Sequence, residues 1–258
     1  MRRDERINPM KVLVCVKQVL DPRGMTVNRK AEKVFINCEE YNLDPASKAA
    51  LETANDLKQS GAEVIAISVG PERVEDALRE AMGRGADRAI WIRSDGGDAT
   101  VITNLIAAAV HKIGGIDLII TGHQSLDTGG GELAPRLAEA LDWPQILGAA
   151  KLDAREQGVT AIVQQAGFVQ VEASTPVVVS MLAEAYRGSY ANGWRLMDAY
   201  KKWNVEAWST TELELGEDDL RPLTVKKEDA FPPERQLGTP VRDVKELVMM
   251  LKREKVIA

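Results

Sequence analysis

One stretch constrains the fold of this chain more than any other: residues 117–141. It begins with an apolar strand pattern, Asp117-Leu118-Ile119-Ile120-Thr121. A loop with four glycines and two hydroxyl side chains follows: Gly122-His123-Gln124-Ser125-Leu126-Asp127-Thr128-Gly129-Gly130-Gly131. Glu132-Leu133 then opens a helical stretch that reaches residue 141. Glycine lets the backbone approach an anion closely, and the free N–H groups of a helix start point toward it. In an α/β sheet this is a phosphate position. The same glycines would equally serve a tight strand-to-helix turn that binds nothing. The pattern is neither a G-x-G-x-x-G fingerprint nor a P-loop, since no Gly-Lys-Ser/Thr follows.

The residues before this stretch repeat its alternation. KVLVCVK (residues 11–17), EVIAISV (63–69) and residues 89–93 are apolar strands. Helices over residues 44–59, 72–84 and 98–113 separate them. Asp44-Pro45 supplies an N-cap and a proline at the first helical position, and Asp98 caps the third helix. Residues 21–41 read as a polar loop. Continuous apolar strands between helices imply a parallel sheet covered on both faces. Ligands of such sheets sit at the carboxyl ends of the strands.

After Trp143-Pro144 the pattern changes. Residues 145–152, 159–165, 168–173 and 177–182 are strand-like without long helices between them, which predicts an antiparallel addition over 145–182. Aromatic residues then concentrate in Tyr186, Tyr190, Trp194, Tyr200, Trp203 and Trp208. Residues 211–258 read as a charged, proline-punctuated arm ending in an amphipathic helix over 240–254, which needs a surface to pack against. Residues 1–9 read as a loose extension, and 10–210 as the α/β domain.

Composition excludes several function classes. A net charge of −6 without a basic cluster argues against nucleic acid. Two cysteines, Cys15 and Cys38, make neither a metal cage nor a disulfide framework and suit a reducing cytoplasm. His111 and His123 offer no zinc motif and no Ser/His/Asp set. No apolar stretch approaches the ~20 residues of a membrane span, and Met1-Arg2-Arg3-Asp4-Glu5-Arg6 lacks the apolar region of a secretion signal.

Four segments, in order, resemble the β subunit of electron transfer flavoproteins. They are Val12-Leu13-Val14-Cys15-Val16-Lys17-Gln18-Val19; Ile65 to Pro71 together with Ala81-Met82-Gly83-Arg84-Gly85-Ala86-Asp87-Arg88-Ala89; Gly122-His123-Gln124-Ser125-Leu126-Asp127, like G-K-Q-A-I-D; and Leu141-Asp142-Trp143-Pro144-Gln145. The resemblance implies a Rossmann-like sheet of the adenine nucleotide α-hydrolase-like type, and an electron carrier rather than an enzyme. It implies a heterodimer with an α subunit, a redox FAD shared with α, and AMP in this chain. A flavin dehydrogenase would donate electrons to a downstream acceptor. By the resemblance Cys15 lies beside the adenine, and Asp44, Pro45, Ala46 and Ser47 touch nucleotide. Val69 ends the second strand. Gly122, His123, Gln124, Ser125, Leu126, Asp127, Thr128, Gly129, Gly130, Gly131, Glu132 and Leu133 wrap ribose and phosphates. The N–H groups of the three consecutive glycines and the Thr128 hydroxyl can meet phosphate, and Asp127 can accept from a ribose hydroxyl or simply cap its own turn.

Three departures stand out. Glu132 replaces a family amide and adds negative charge near the phosphates unless the helix start or a cation offsets it. Ala46 stands where the family has an aromatic near the flavin, with Tyr41 as a possible substitute. In the partner-recognition segment the family's docking leucine falls at Gly193, beside Trp194. Tyr190, Trp194, Leu196 and Met197 are the candidate contacts, with Trp194 or Leu196 as anchor; the alternative is a Trp194 buried beneath its loop. Two other functions stay open: a bifurcating carrier with a second FAD in this chain, and a nucleotide-sensing module without redox function.

Overall fold

A computed structural model describes residues 10–155, 158–164, 166–228, 230–234 and 238–257. The expected N-terminal extension and Gln165 lie outside these residues. The chain forms two compact units. One comprises residues 10–26 and 35–225, the other residues 27–34 and 226–257.

The first unit is built on a nine-stranded sheet. In chain order its strands are β1 (Lys11–Cys15), β6 (Glu63–Gly70), β7 (Arg88–Arg93), β8 (Leu118–Gly122), β9 (Gln145–Arg155), β10 (Gly158–Gln164), β11 (Phe168–Ser174), β12 (Val177–Met181) and β13 (Glu206–Ser209). Their spatial order is β11-β10-β9-β12-β8-β1-β6-β7-β13. Two short pairs complete the strands: β2 (Gln18–Leu20) with β5 (Tyr41–Leu43), and β3 (Met25–Asn28) with β4 (Lys33–Ile36). The segment expected as a polar loop therefore contains a hairpin, whose Thr-Val-Asn and Lys-Val-Phe-Ile stretches carry β-branched and aromatic residues.

Helices cover both faces. α1 (Pro45–Leu57) and α2 (Val74–Arg84) pack on one side, and α3 (Ala99–Ile113) and α4 (Leu133–Leu141) on the other. Alternation along β1 explains how one strand serves both. Val12, Val14 and Val16 join the α1/α2 core, while Leu13 and Cys15 join the α3/α4 core. Each fully buried Leu or Ile of these layers contributes about 1.5–3 kcal/mol by transfer from water. A fifth helix, α5 (Gly193–Lys201), packs on α2.

The expected antiparallel addition is present only in part. β10 runs antiparallel to β9 and β11. β12 instead inserts between β8 and β9 and runs parallel to both. All five of its residues are buried, so it needs cover on both faces, which only an interior position supplies. β11, mostly exposed, takes the edge. β13, unexpected from sequence, extends the far edge parallel to β7, and Glu206 there pairs with Arg88 at 2.9 Å.

Residues 211–225 pack on this unit rather than standing free. Leu213 is buried, and Asp98 at the start of α3 accepts from Leu223 N (2.8 Å), Thr224 N (2.9 Å) and the Thr224 hydroxyl (3.1 Å). The N–H of Val101, with burial opposing and Thr224 and Leu223 assisting, brings the Asp98 carboxyl down to about 2. In the second unit, α6 (Val244–Arg253) has no buried residue, and Val244, Leu247 and Met249 are exposed.

Candidate functional site

The chain steps from β1 to β6 and β7 on one side, then returns to β8 on the other. The carboxyl ends of β1 and β8 therefore flank a switch point, where open α/β sheets place ligands. The residues after these two strands meet there. Lys17, just beyond β1, donates through Nζ to Asp127 Oδ1 at 2.7 Å and to the Ser125 hydroxyl at 3.4 Å. Burial works against ionisation of Asp127, but the Lys17 ammonium, the Ser125 hydroxyl and the Thr128 N–H outweigh it and hold the carboxyl below its ordinary value. Asp127 also accepts from its neighbour, Thr128 N, at 2.8 Å, so it does cap its own turn.

The start of α1 is laced to the same loop. Asp44, 2% exposed, uses Oδ2 as the helix cap, accepting from Ala46 N at 2.9 Å and Ser47 N at 3.2 Å. Its other oxygen accepts from Leu126 N at 2.8 Å. The Ser47 hydroxyl accepts from Lys17 N at 3.1 Å. Ala46 is buried against Gly122 in a close contact between α1 and β8. A Cβ on Gly122 would lie 2.7 Å from that of Ala46. Overpacking of this kind costs about 1–3 kcal/mol. Gly122→Ala is expected to lower the denaturation midpoint accordingly, and an unchanged midpoint in urea would show that α1 can yield. The Tyr41 ring stacks under Arg73 at 4.5 Å and its hydroxyl donates to Glu39 at 2.8 Å.

His123 anchors the other flank of the loop. Its N–H donates to Met181 O at 2.8 Å, and its Nδ1 lies 3.0 Å from the Ser180 hydroxyl, which also accepts from Gly148 N at 3.0 Å. It is half-buried against β12, and the Ser180 hydroxyl it faces is itself buried in the sheet. Cys15 ends β1 with its thiol in the core, and burial pushes its pKa up to about 12. Val69 lies near the end of β6 in register with Ile92.

The tip of the loop and the start of α4 are open. Gly129 and Gly131 adopt left-handed φ values of 62° and 65°, which favour glycine. The backbone N–H groups of Gly130, Gly131, Glu132, Leu133 and Ala134 make no hydrogen bond to protein among the described residues. The charge of Glu132 is met by Arg136, one turn on, at 2.8 Å, and Arg136 also donates to the Thr100 hydroxyl at 3.2 Å. The cation required to offset Glu132 is therefore supplied by α4 itself. Chemically, the arrangement offers several unspent donors to an anion such as a phosphate. The residues present fit the phosphate end of a nucleotide.

A second cluster lies at α5. Tyr190 is 93% and Trp194 77% exposed, and Met197 is exposed beside them in sequence. Trp194 is thus not buried beneath its loop. Leu196 faces α2, within 3.2 Å of where a Cβ on Gly83 would stand. Asn192 caps α5, accepting from Trp194 N and Arg195 N at 3.0 and 3.1 Å. Lys17, Ser180 and Arg136 were not singled out from sequence. Lys17, directly after a strand that leads into the switch point, carried the strongest signal.

Residues 33–213 match the electron transfer flavoprotein domain family. The chain belongs to the electron transfer flavoprotein family. Electron transfer flavoprotein subunit beta of Clostridium acetobutylicum is 31% identical over 229 residues, which cover 84% of this chain and 87% of the relative. The corresponding subunit of Bradyrhizobium diazoefficiens is 31% identical over 252 residues, covering 95% and 98%. The acryloyl-CoA reductase electron transfer subunit gamma of Anaerotignum propionicum is 32% identical over 210 residues, covering 75% of each chain. This electron transfer flavoprotein chain therefore has a β-subunit-type role, as a non-catalytic component of an electron carrier. Among the described residues no helix is long and apolar enough to cross a membrane.

Proposed function

We propose that this chain is the β subunit of a heterodimeric electron transfer flavoprotein that binds AMP in the loop between β8 and α4 and helps its α subunit hold the redox FAD. The observation that carries the proposal is the run of unspent N–H groups over residues 130–134, set at the switch point of a family sheet with the adjoining acidic charge already balanced. The flavin, when bound, supplies one- and two-electron chemistry. The chain's own residues bind and orient. The start of α4 receives phosphate, Ser125 and Asp127 face ribose, and Asp44 and His123 hold the loop in shape from opposite sides. Tyr190, Trp194 and Met197 dock a flavin dehydrogenase that delivers electrons for passage to a downstream acceptor, in the cytoplasm. The exposed apolar residues of α6 pack on the α subunit.

The test is to co-express the chain with its α subunit, denature the purified complex and quantify the released nucleotides by chromatography and mass spectrometry. One FAD and one AMP per heterodimer is the expected result. Two FAD and no AMP would replace it with a bifurcating carrier. Absence of any adenine nucleotide beyond the shared FAD would mean that the loop binds nothing.

A further inference from the structure

We infer that Glu52 is the positioning residue that sets the pose of the partner-docking segment, and that it does so from the same helix that braces the nucleotide loop. The inference rests on the docking role proposed for Tyr190 and Trp194.

Glu52 lies within α1, where an unpaired carboxylate would normally face water. It is only 8% exposed. Both of its oxygens are spent on one stretch of backbone far away in sequence. Oε2 accepts from Arg187 N at 2.6 Å and from Arg187 Nε at 3.3 Å, and Oε1 accepts from Ser189 N at 3.1 Å. Gly188, between the two N–H donors, has a left-handed φ of 89°. Such a bend lets backbone N–H groups converge on one anion. The clamp is reinforced on both sides. Arg187 Nη2 donates to Asp56 on the next turn of α1 at 2.7 Å, and Arg84 donates to Ser189 O at 2.7 Å. The residue after Ser189 is the almost fully exposed Tyr190, and α5 with Trp194 begins shortly beyond.

The first turn of α1 is tied to the nucleotide loop directly through Asp44, and through Ser47 to Lys17, whose Nζ reaches Asp127 in that loop. Glu52 lies about 12 Å further along the same helix at 1.5 Å per residue. One rigid rod thus fixes both the loop that holds nucleotide and the base of the segment that meets the partner. A carboxylate that merely stabilised the fold would show a general effect when removed. A positioning residue shows a local one, felt in docking and not in turnover.

The experiment compares the wild-type heterodimer with Glu52→Gln and Glu52→Ala. Glu52→Gln keeps the volume and one acceptor, and carries the measurement if Glu52→Ala fails to fold. Amide hydrogen exchange is read at Arg187, Ser189, Leu126 and Val14. Nucleotide content is measured, as are KM and kcat for reduction of the heterodimer by its flavin dehydrogenase. We expect exchange at Arg187 and Ser189 to quicken at least tenfold while Leu126 and Val14 stay unchanged. KM should rise at least fivefold, with kcat within twofold and nucleotide content unaltered. Unchanged exchange at the two amides overturns the clamp. Freed amides with an unchanged KM, or a fall in kcat at constant KM, overturn the positioning role. Faster exchange at Val14 or lost nucleotide would make Glu52 a residue of the general fold. Trp194→Ala, run in parallel, separates failure of the docking surface itself: there KM stays at the wild-type value for that variant too, whatever the amides of Arg187 and Ser189 do.

Discussion

Replacing Asp44 with alanine is expected to destabilise the α/β unit by about 1.5–5 kcal/mol, the sum of a lost helix cap at about 0.5–2 kcal/mol and an orphaned N–H at about 1–3 kcal/mol. The orphan is Leu126 N, whose acceptor is the Asp44 oxygen not used by the cap. That bond ties the loop after β8 to α1, so on the AMP-binding role proposed for the loop the affinity for AMP should fall at least tenfold as well. Asp44→Asn divides the two effects. Its single side-chain oxygen can serve the cap or the loop but not both, so most of the stability should return while the affinity remains reduced. Urea denaturation and titration calorimetry with AMP give the two numbers. If Asp44→Ala matches wild type in both, the loop does not depend on this tether.

Trp194→Ala is expected to behave in the opposite way, with a large effect on electron transfer and almost none on stability. The side chain is 77% exposed, and surface substitutions of this kind usually stay within about 0.5 kcal/mol. As the anchor of an interface it is worth about 2 kcal/mol or more, or roughly a 30-fold loss in affinity for the dehydrogenase. Stopped-flow or steady-state reduction by the dehydrogenase measures this. A variant that melts normally and accepts electrons with an unchanged KM would remove Trp194 from the docking surface.

The parts of the fold dictated by local chemistry were legible in the sequence. Asp44-Pro45 and Asp98 announced the starts of α1 and α3, and the structure finds both carboxylates capping those helices. The apolar runs of β1, β6, β7 and β8 announced a two-sided parallel sheet. What was missed depends on partners distant in the chain. Val177–Met181 follows three strand-like stretches and its sequence reads as one more of them, although its unbroken burial marks an interior strand. A short run does not reveal which neighbours it will find. At the site, the glycines and Asp127 were visible as a loop. The Lys17–Asp127 pair and the Glu52 clamp were not, because each joins residues more than 100 positions apart. Glu132 looked unfavourable in isolation. Its balancing cation, Arg136, was one helical turn away, at a spacing where opposite charges meet.

The parallel insertion of β12 also dictates the order in which this protein can be completed during synthesis. β8 gains its second neighbour only when residues 177–181 have left the ribosome, and the loop after β8 is fastened to that late strand through His123 N and Met181 O. Until then β8 is an unprotected sheet edge, a hazard for association between nascent chains. Closing it over the intervening α4 and β9–β11 is a long-range step that cannot be rewarded early. The loop after β8 therefore takes its final form only after more than two thirds of the polypeptide has been made, and on the role proposed for that loop a fragment ending before β12 should be unable to recruit nucleotide.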